Sequence, residues 1–129
     1  MKIGIDFHGV LDKYPEKFSE LGKMVVLAGG EAHLITGHPI TPEFAEIVNK
    51  ICPWQLFIFN KHVYSTTDGL EARKFPFTFD KRGGKMFDKD VWEKEKAVYC
   101  EANGIDLMFD DSPEYAQYFV GKTTFMLVK

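Results

Sequence analysis

The alternation of apolar strand-like segments with amphipathic helical segments constrains the fold of this chain more than any other feature. Along the sequence we predict strand, helix, strand, helix, strand, an irregular insert, helix, strand, helix and strand. The strands are expected at residues 3–5, 32–36, 54–59, 105–109 and 123–128. Strands that alternate with helices pair in parallel through right-handed crossovers, so the pattern predicts an α/β fold with a mainly parallel five-stranded sheet and helices on both faces.

Capping and turn residues set the expected boundaries of the helices. Pro15 opens the first helix and Gly29-Gly30 ends it, since Pro favours the first helical position and Gly the end. Thr41-Pro42 is typical of an N-cap followed by a first helical residue. An irregular insert at about residues 60–88 contains two short apolar runs around a Gly-rich turn, which predicts a hairpin. A helix over residues 90–103 follows the insert.

The bulk composition is that of one ordinary globular domain. With 129 residues, 45% of them hydrophobic, residues 1–129 are expected to form a single domain. The formal net charge is -3, so the chain lacks the excess of Lys and Arg that proteins need for general nucleic-acid binding. Because no apolar run approaches the roughly 20 residues of a membrane span, we expect a cytoplasmic protein with no membrane partner. Cys52 and Cys100 lack a CxxC or metal spacing and are expected to be reduced.

Oxygen-bearing side chains follow three of the predicted strands. Asp6 ends the first strand, Thr36 ends the second, and Asp110-Asp111 follows the strand at residues 105–109. The carboxyl ends of parallel strands meet at one edge, where α/β proteins bind ligands, so these side chains should converge. Converging carboxylates repel one another unless a cation joins them, and Mg²⁺ prefers oxygen ligands and phosphate partners. The sequence therefore predicts a Mg²⁺ site at which Asp6 attacks a phosphorus atom.

A phosphoryl group at this edge also needs hydrogen-bond donors and positive charge. Thr36 offers a hydroxyl, and Gly37 beside it offers a backbone N–H. A lysine would neutralise both the nucleophile and the transferring group. The candidate lysines are Lys96, Lys94, Lys89 and Lys85. Taken singly, each residue also fits a plain role in a turn, a cap or a solvated helix face, and only their joint placement favours catalysis.

Three stretches of the chain share a pattern in which an apolar strand leads to an acid or a hydroxyl. They run from Ile3 to Leu11, from Leu34 to Pro39, and from Leu107 to Ser112. In that order they resemble the first, second and fourth motifs of the haloacid-dehalogenase-like (HAD) superfamily of phosphohydrolases. The resemblance covers nearly the whole chain and implies a Rossmann-like three-layer sandwich. It also implies a small member of the superfamily, in which the short insert stands in place of a large cap domain.

The resemblance also implies roles for individual residues in phosphoryl transfer. Asp6 would be the nucleophile that forms an aspartyl-phosphate, and Thr36 and Lys96 would hold the phosphoryl group. The third motif of the family is a lone lysine, expected in the helix just before the acidic strand. Lys96 is therefore the leading candidate for this motif and Lys94 the next.

A departure from the family concerns the metal site and the acid–base group. By the resemblance, Asp6, the main-chain carbonyl of His8, and Asp110 or Asp111 would bind Mg²⁺. Family phosphatases carry a second Asp at the position of His8, where it serves as general acid and then base. Histidine can do this work near neutral pH, whereas loss of such a group costs about 10²–10⁴-fold in rate. Three interpretations stay open: a phosphatase using His8, a slow phosphatase or phosphotransferase, and a regulatory module that only binds Mg²⁺ and phosphate.

The short separation of the first two motifs leaves no room for a large cap. An open site indicates a phosphorylated substrate that is macromolecular, or a small ester covered by a lid from a second subunit, so homo-oligomerisation stays open. The insert aromatics favour a small core or a partner surface over a substrate pocket. They are Phe75, Phe77, Phe79 and Phe87.

The sequence fits neither the ligand spacing of a zinc site nor the pattern of a phospho-receiver domain. His33, His38 and His62 lack the spacing of a zinc site, although His38 directly follows Thr36-Gly37 and is expected either near the phosphate or in an exposed loop. A phospho-receiver domain would need an acceptor Asp after the third strand. The predicted third strand instead ends in Phe59-Asn60-Lys61.

Overall fold

Seven strands and five α-helices follow one another in the computed structural model, which describes residues 1–129. In chain order they are β1 (Lys2–Ile5), α1 (Pro15–Leu27), β2 (Glu31–Thr36), α2 (Pro42–Ile51), α3 (Gln55–Ile58), β3 (Val63–Ser65), α4 (Thr66–Ala72), β4 (Phe77–Phe79), β5 (Lys85–Phe87), α5 (Lys89–Asn103), β6 (Leu107–Asp110) and β7 (Thr124–Leu127). Phe7–Leu11 forms a wide turn in which His8 and Gly9 are not helical, and a 3₁₀-helix spans Pro113–Tyr118.

Five of the strands form one parallel sheet in the order β3-β2-β1-β6-β7. β1 lies at its centre, with Ile5 opposite Leu34 of β2 on one side and Phe109 of β6 on the other. The predicted α/β fold with a five-stranded parallel sheet is therefore confirmed. Because β1, β2 and β6 run in the same direction side by side, their carboxyl ends meet at one edge.

The prediction of a third strand at residues 54–59 is wrong. Residues 55–58 form the short helix α3, in which Leu56 and Phe57 are exposed and Ile58 is buried. The third strand of the sheet is β3, which lies inside the segment that was expected to be an irregular insert. An apolar run without periodicity does not distinguish a strand from a short helix, and this run lacks any alternation.

Most of the other predicted boundaries are confirmed by local contacts. The Thr41 hydroxyl accepts a hydrogen bond from the N–H of Phe44 at 3.1 Å, as an N-cap does. α5 ends at Gly104, which adopts a left-handed conformation with φ of 66°. The predicted hairpin is the antiparallel pair β4–β5. The predicted last helix is a 3₁₀-helix.

The hairpin carries a small aromatic cluster that reaches α5. The ring of Phe77 lies 5.5 Å from that of Phe79 and 5.6 Å from that of Phe87. Phe87 in turn stacks on Trp92 of α5 at 6.2 Å. Phe75 lies apart from this cluster, beneath the guanidinium of Arg73. The rings of this cluster are half-buried or, for Phe79, 66% exposed, so the small core expected from the sequence is formed only in part and a partner for the cluster stays a prediction.

The sheet buries its side chains in two separate clusters. Ile3 and Ile5 of β1 belong to the larger, which α1 and α2 complete. A Cβ atom added at Gly4 would instead meet Met108 and Ile35 of the smaller cluster. Neighbouring residues of a strand point to opposite faces, so the two clusters lie on opposite sides of β1.

The structure also bears on the predictions about the cysteines and about membrane-spanning segments. Cys52 and Cys100 are both free thiols and both buried. None of the helices combines the length and the apolarity that a bilayer crossing requires.

Candidate active site

Asp6 is held at the carboxyl end of β1 by main-chain hydrogen bonds. Its N–H donates to the carbonyl of Phe109 at 3.0 Å, which ties it to β6. Its carbonyl accepts a hydrogen bond from the N–H of Leu11 at 3.1 Å, so the wide turn at Phe7–Leu11 begins on this residue. The N–H of Phe7 donates to carboxylate Oδ1 at 2.8 Å. The side chain is thus fixed in orientation, and Oδ2 makes no hydrogen bond within the protein.

Lys96 brings the two acidic strand ends together. Its Nζ lies 3.0 Å from Oδ1 of Asp6 and 2.6 Å from Oδ2 of Asp110. All three residues are buried, with relative exposures of 5% for Asp6, 5% for Lys96 and 0% for Asp110. Buried charges persist only when they are paired and hydrogen-bonded, and this arrangement pairs one ammonium with two carboxylates. α5 therefore carries the lysine that the sequence placed first among the candidates.

The other candidate lysines lie away from this cluster. Lys94 is exposed on α5, and Lys89 has an 83% exposed side chain near Glu93. Lys85 of β5 pairs with Glu71 of α4. Their positions leave Lys96 as the lysine that contacts Asp6.

Burial and the neighbouring charges shift the pKa values of both Asp6 and Lys96. Burial raises the pKa of Asp6 to about 7, with Lys96 acting in the opposite direction and the charge of Asp110 adding to the rise. Burial also opposes the charge of Lys96, but the carboxylates of Asp6 and Asp110 together raise its pKa above the ordinary value. Two carboxylates facing one ammonium leave an excess of negative charge, which favours an added cation.

Three carboxylates at this edge of the sheet could hold a metal ion. One oxygen each from Asp6, Asp110 and Asp111 lies within 4.8 Å of the others. Oxygens around Mg²⁺, at about 2.0–2.1 Å from it, stand about 3–4 Å apart, so small side-chain movements suffice. Oδ2 of Asp6 is contacted by no protein donor, so it stays open to a group that enters the cavity.

Gly9 allows the exposed carboxylate of Asp111 to come this close. A Cβ atom at Gly9 would lie 2.0 Å from Oδ2 of Asp111, and the residue has φ of +79°. A larger side chain here would be strained by the positive φ and would require the Asp111 carboxylate to move away. The N–H of Gly9 donates to Oδ1 of Asp12 at 2.7 Å, which fixes the turn. Asp12 is a residue whose positioning role the sequence analysis did not identify.

A cavity of about 430 Å³ opens over the acidic cluster. Its lining residues come from the carboxyl ends of β1, β2 and β6 and from α5 and the 3₁₀-helix: Asp6, His8, Gly9, Gly37, His38, Lys96, Asp111, Ser112 and Tyr115. Thr36, predicted to bind the phosphoryl group, is fully buried and does not line the cavity. Its Oγ1 accepts from the N–H of His38 at 3.1 Å and so shapes the loop that does line it.

Ser112 and Tyr115 belong to the site without having been singled out from the sequence. The N–H of Ser112 donates to Oδ1 of Asp110 at 2.9 Å, which leaves the second oxygen to Lys96. The ring of Tyr115 lies 5.3 Å from the ammonium of Lys96 and its hydroxyl accepts from the indole N–H of Trp92 at 3.2 Å. The Ser-Pro pair after the acidic strand was the available signal for Ser112, whereas Tyr115 gave none.

His8 occupies the rim of the cavity. Its side chain is exposed and makes no hydrogen bond within the protein. The imidazole of His38, from the loop after β2, lies 5.9 Å away between ring centroids. His38 thus lies near the candidate site, as one of the two expectations for it required. Either imidazole can meet a substrate that enters the cavity.

The chain matches no protein-family model, no curated protein and no solved structure. The case for a function therefore rests on the geometry of the cavity and on the chemistry of the residues around it.

Proposed function

We propose that this chain is a Mg²⁺-dependent phosphomonoester hydrolase of the HAD type, with a three-layer fold, that acts through an aspartyl-phosphate on Asp6. The contact of Lys96 with both Asp6 and Asp110 carries the proposal. A nucleophilic carboxylate must meet an anionic phosphate, and this meeting is favourable only where positive charge is fixed beside it. The oxygens of Asp6, Asp110 and Asp111 would hold the Mg²⁺ ion, which when bound supplies further charge neutralisation.

The first chemical step would use the unbonded oxygen of Asp6. Oδ2 attacks phosphorus, a P–O bond to the carboxylate forms, and the P–O bond to the alcohol breaks. The leaving oxygen takes a proton from a protonated His8 at the cavity rim. Lys96 keeps the other oxygen, Oδ1, in place throughout this step.

The second step would hydrolyse the acyl phosphate. Neutral His8 accepts a proton from a water molecule, the water oxygen attacks phosphorus, and the carboxylate of Asp6 leaves with its electron pair. Inorganic phosphate departs and His8 is protonated again, so protons balance over the cycle. The backbone of Gly37 and the side chain of Lys96, both of which line the cavity, are the groups available to hold phosphoryl oxygens.

A second candidate function is a regulatory module that binds Mg²⁺ and phosphate without turnover. The observation that favours it is the exposed, unbonded imidazole of His8, since a general acid is usually held in position by a neighbouring group. In this case phosphorylated ligands would bind in the cavity and dissociate unchanged.

The two functions are separated by a substrate-panel assay with Mg²⁺. We expect phosphate release from at least one class of phosphate ester, abolished by chelation of the metal and in Asp6→Asn. The same variant should still bind phosphate, because the ammonium of Lys96 remains. Saturable phosphate binding without turnover across the panel, in the wild type and the variant alike, would establish the regulatory module instead.

A further inference from the structure

A second group of metal-binding side chains lies away from the cavity, along β2 and the residue before β3. Glu31 and His33 are two residues apart on β2 and therefore point to the same face. The parallel register sets Leu34 opposite Val63, which places His62 beside His33. One ligand atom each from Glu31, His33 and His62 lies within 4.8 Å of the others.

The distances within this group suit a tetrahedral ion. Nε2 of His33 lies 2.9 Å, and Nε2 of His62 lies 3.8 Å, from Oε1 of Glu31. Around a Zn²⁺ ion with bonds of about 2.0–2.1 Å, ligand atoms are about 3.3 Å apart, a value between these two distances. The two imidazoles stack at 4.2 Å with an angle of 22°. His62, with a 35% exposed side chain, has the freedom to tilt its lone pair toward a shared ion.

The surroundings of the buried histidine resemble the support that metal ligands need. Nδ1 of His33 lies 2.8 Å from the hydroxyl of Tyr99, while Nε2 faces Glu31. Ligating histidines commonly bond their second ring nitrogen to such a partner, which fixes the ring. The neighbouring cation, Lys2, lies 3.5 Å from Oε2 of Glu31 and leaves Oε1 to the imidazoles.

We propose that Glu31, His33 and His62 bind a divalent transition-metal ion of the Zn²⁺ class. Nitrogen ligands favour such ions over Mg²⁺, so this site and the carboxylate site would select different metals. The ion would join β2 to β3, which is three residues long and forms an edge of the sheet. The histidines are separated in sequence by 28 other residues, which is why no zinc spacing is visible there. This proposal is independent of the proposed phosphatase activity.

The test is a titration of the metal-free protein, residues 1–129, with Zn²⁺ in excess Mg²⁺, which competes with Zn²⁺ for the carboxylates. Calorimetry should show one saturable Zn²⁺ site. His62→Ala, a change at a partly exposed side chain, should weaken Zn²⁺ binding by about 100-fold or more, and Tyr99→Phe by about 10-fold. His38→Ala is the matched control, because its imidazole lies beside His8 at the other site and should leave the affinity unchanged.

A second readout identifies the ligands directly. In NMR spectra of the imidazole protons, Zn²⁺ should shift the resonances of His33 and His62 and leave those of His8 and His38 in place. The proposal is overturned if Zn²⁺ shows no saturable binding, if His62→Ala binds like the wild type, or if His38→Ala removes the site. Circular dichroism of each variant confirms that it is folded before its affinity is compared.

Discussion

Two clusters of titratable side chains lie on the same sheet and are assembled in different ways. The carboxylate cluster, Asp6, Lys96 and Asp110, joins the ends of β1 and β6 to α5 and is almost fully buried. The histidine cluster, Glu31, His33 and His62, joins two neighbouring strands and stays partly open to solvent. The first depends on charge pairing and the second on strand register. We therefore expect substitutions in the buried ionic cluster to destabilise the fold more than substitutions in the half-exposed cluster.

The largest expected effect comes from removing the ammonium of the carboxylate cluster. Lys96→Ala leaves two buried carboxylates without a cationic partner and should destabilise the metal-free protein by about 3–5 kcal/mol, as measured by urea unfolding. Lys94→Ala, an exposed neighbour on the same helix, should change stability by less than about 0.5 kcal/mol. Added Mg²⁺ should recover part of the stability of Lys96→Ala. Equal effects of the two substitutions would show that the buried pairing contributes nothing.

The rim of the carboxylate cluster is tested by His8→Ala. If His8 is the general acid and base, kcat should fall by about 10²-fold or more, with little change in unfolding free energy because the side chain is exposed. His8→Asp should restore activity and move the pH profile toward lower pH, since a carboxylic acid replaces an imidazole. Unchanged kcat in His8→Ala would remove His8 from the mechanism.

The stability of the carboxylate cluster should depend on pH through Asp6. The pKa of Asp6 is raised from 3.8 to about 7 in the folded protein, so folding favours its protonated form. The stability that this preference adds is present below pH about 4 and is lost as pH rises through about 7. In EDTA, Asp6→Asn should therefore be more stable than the wild type by about 1–3 kcal/mol at pH 8, with little difference at pH 4. A constant difference across this range would contradict the raised pKa.

The smallest effect is expected in the histidine cluster. Tyr99→Phe removes the hydroxyl that bonds Nδ1 of His33 and should cost about 1 kcal/mol in the absence of metal. The comparison predicts that this loss stays well below that of Lys96→Ala. Urea unfolding of both variants in one buffer provides the check. An equal loss of unfolding free energy in Tyr99→Phe would show that the histidine cluster contributes as much to stability as the carboxylate cluster.

The two clusters also differ in how far the sequence predicted them. Strand ends are marked by apolar runs followed by acids, and parallel topology then brings Asp6 and Asp110 together, so this site could be predicted from residue order. The pairing of His33 with His62 could not, because it depends on the position of β3, where the sequence pattern suggested an irregular insert. The third strand was predicted in the wrong place because residues 54–59 are nearly all apolar. Thr36 was placed correctly at a strand end, but no sequence rule showed that its own side chain is buried there, whereas Gly37 and His38 after it line the cavity.

The proposed hydrolysis depends on the phosphorylation of Asp6, which can be detected by trapping the phosphorylated residue. The protein is incubated with Mg²⁺ and acetyl phosphate as a phosphoryl donor, quenched, and reduced with borohydride, which converts an aspartyl-phosphate to homoserine. Peptide mass spectrometry should find homoserine at position 6 in the wild type and none in Asp6→Asn or in EDTA. Absence of homoserine at position 6 under conditions where the protein releases phosphate, or its appearance at another aspartate alone, would contradict the account.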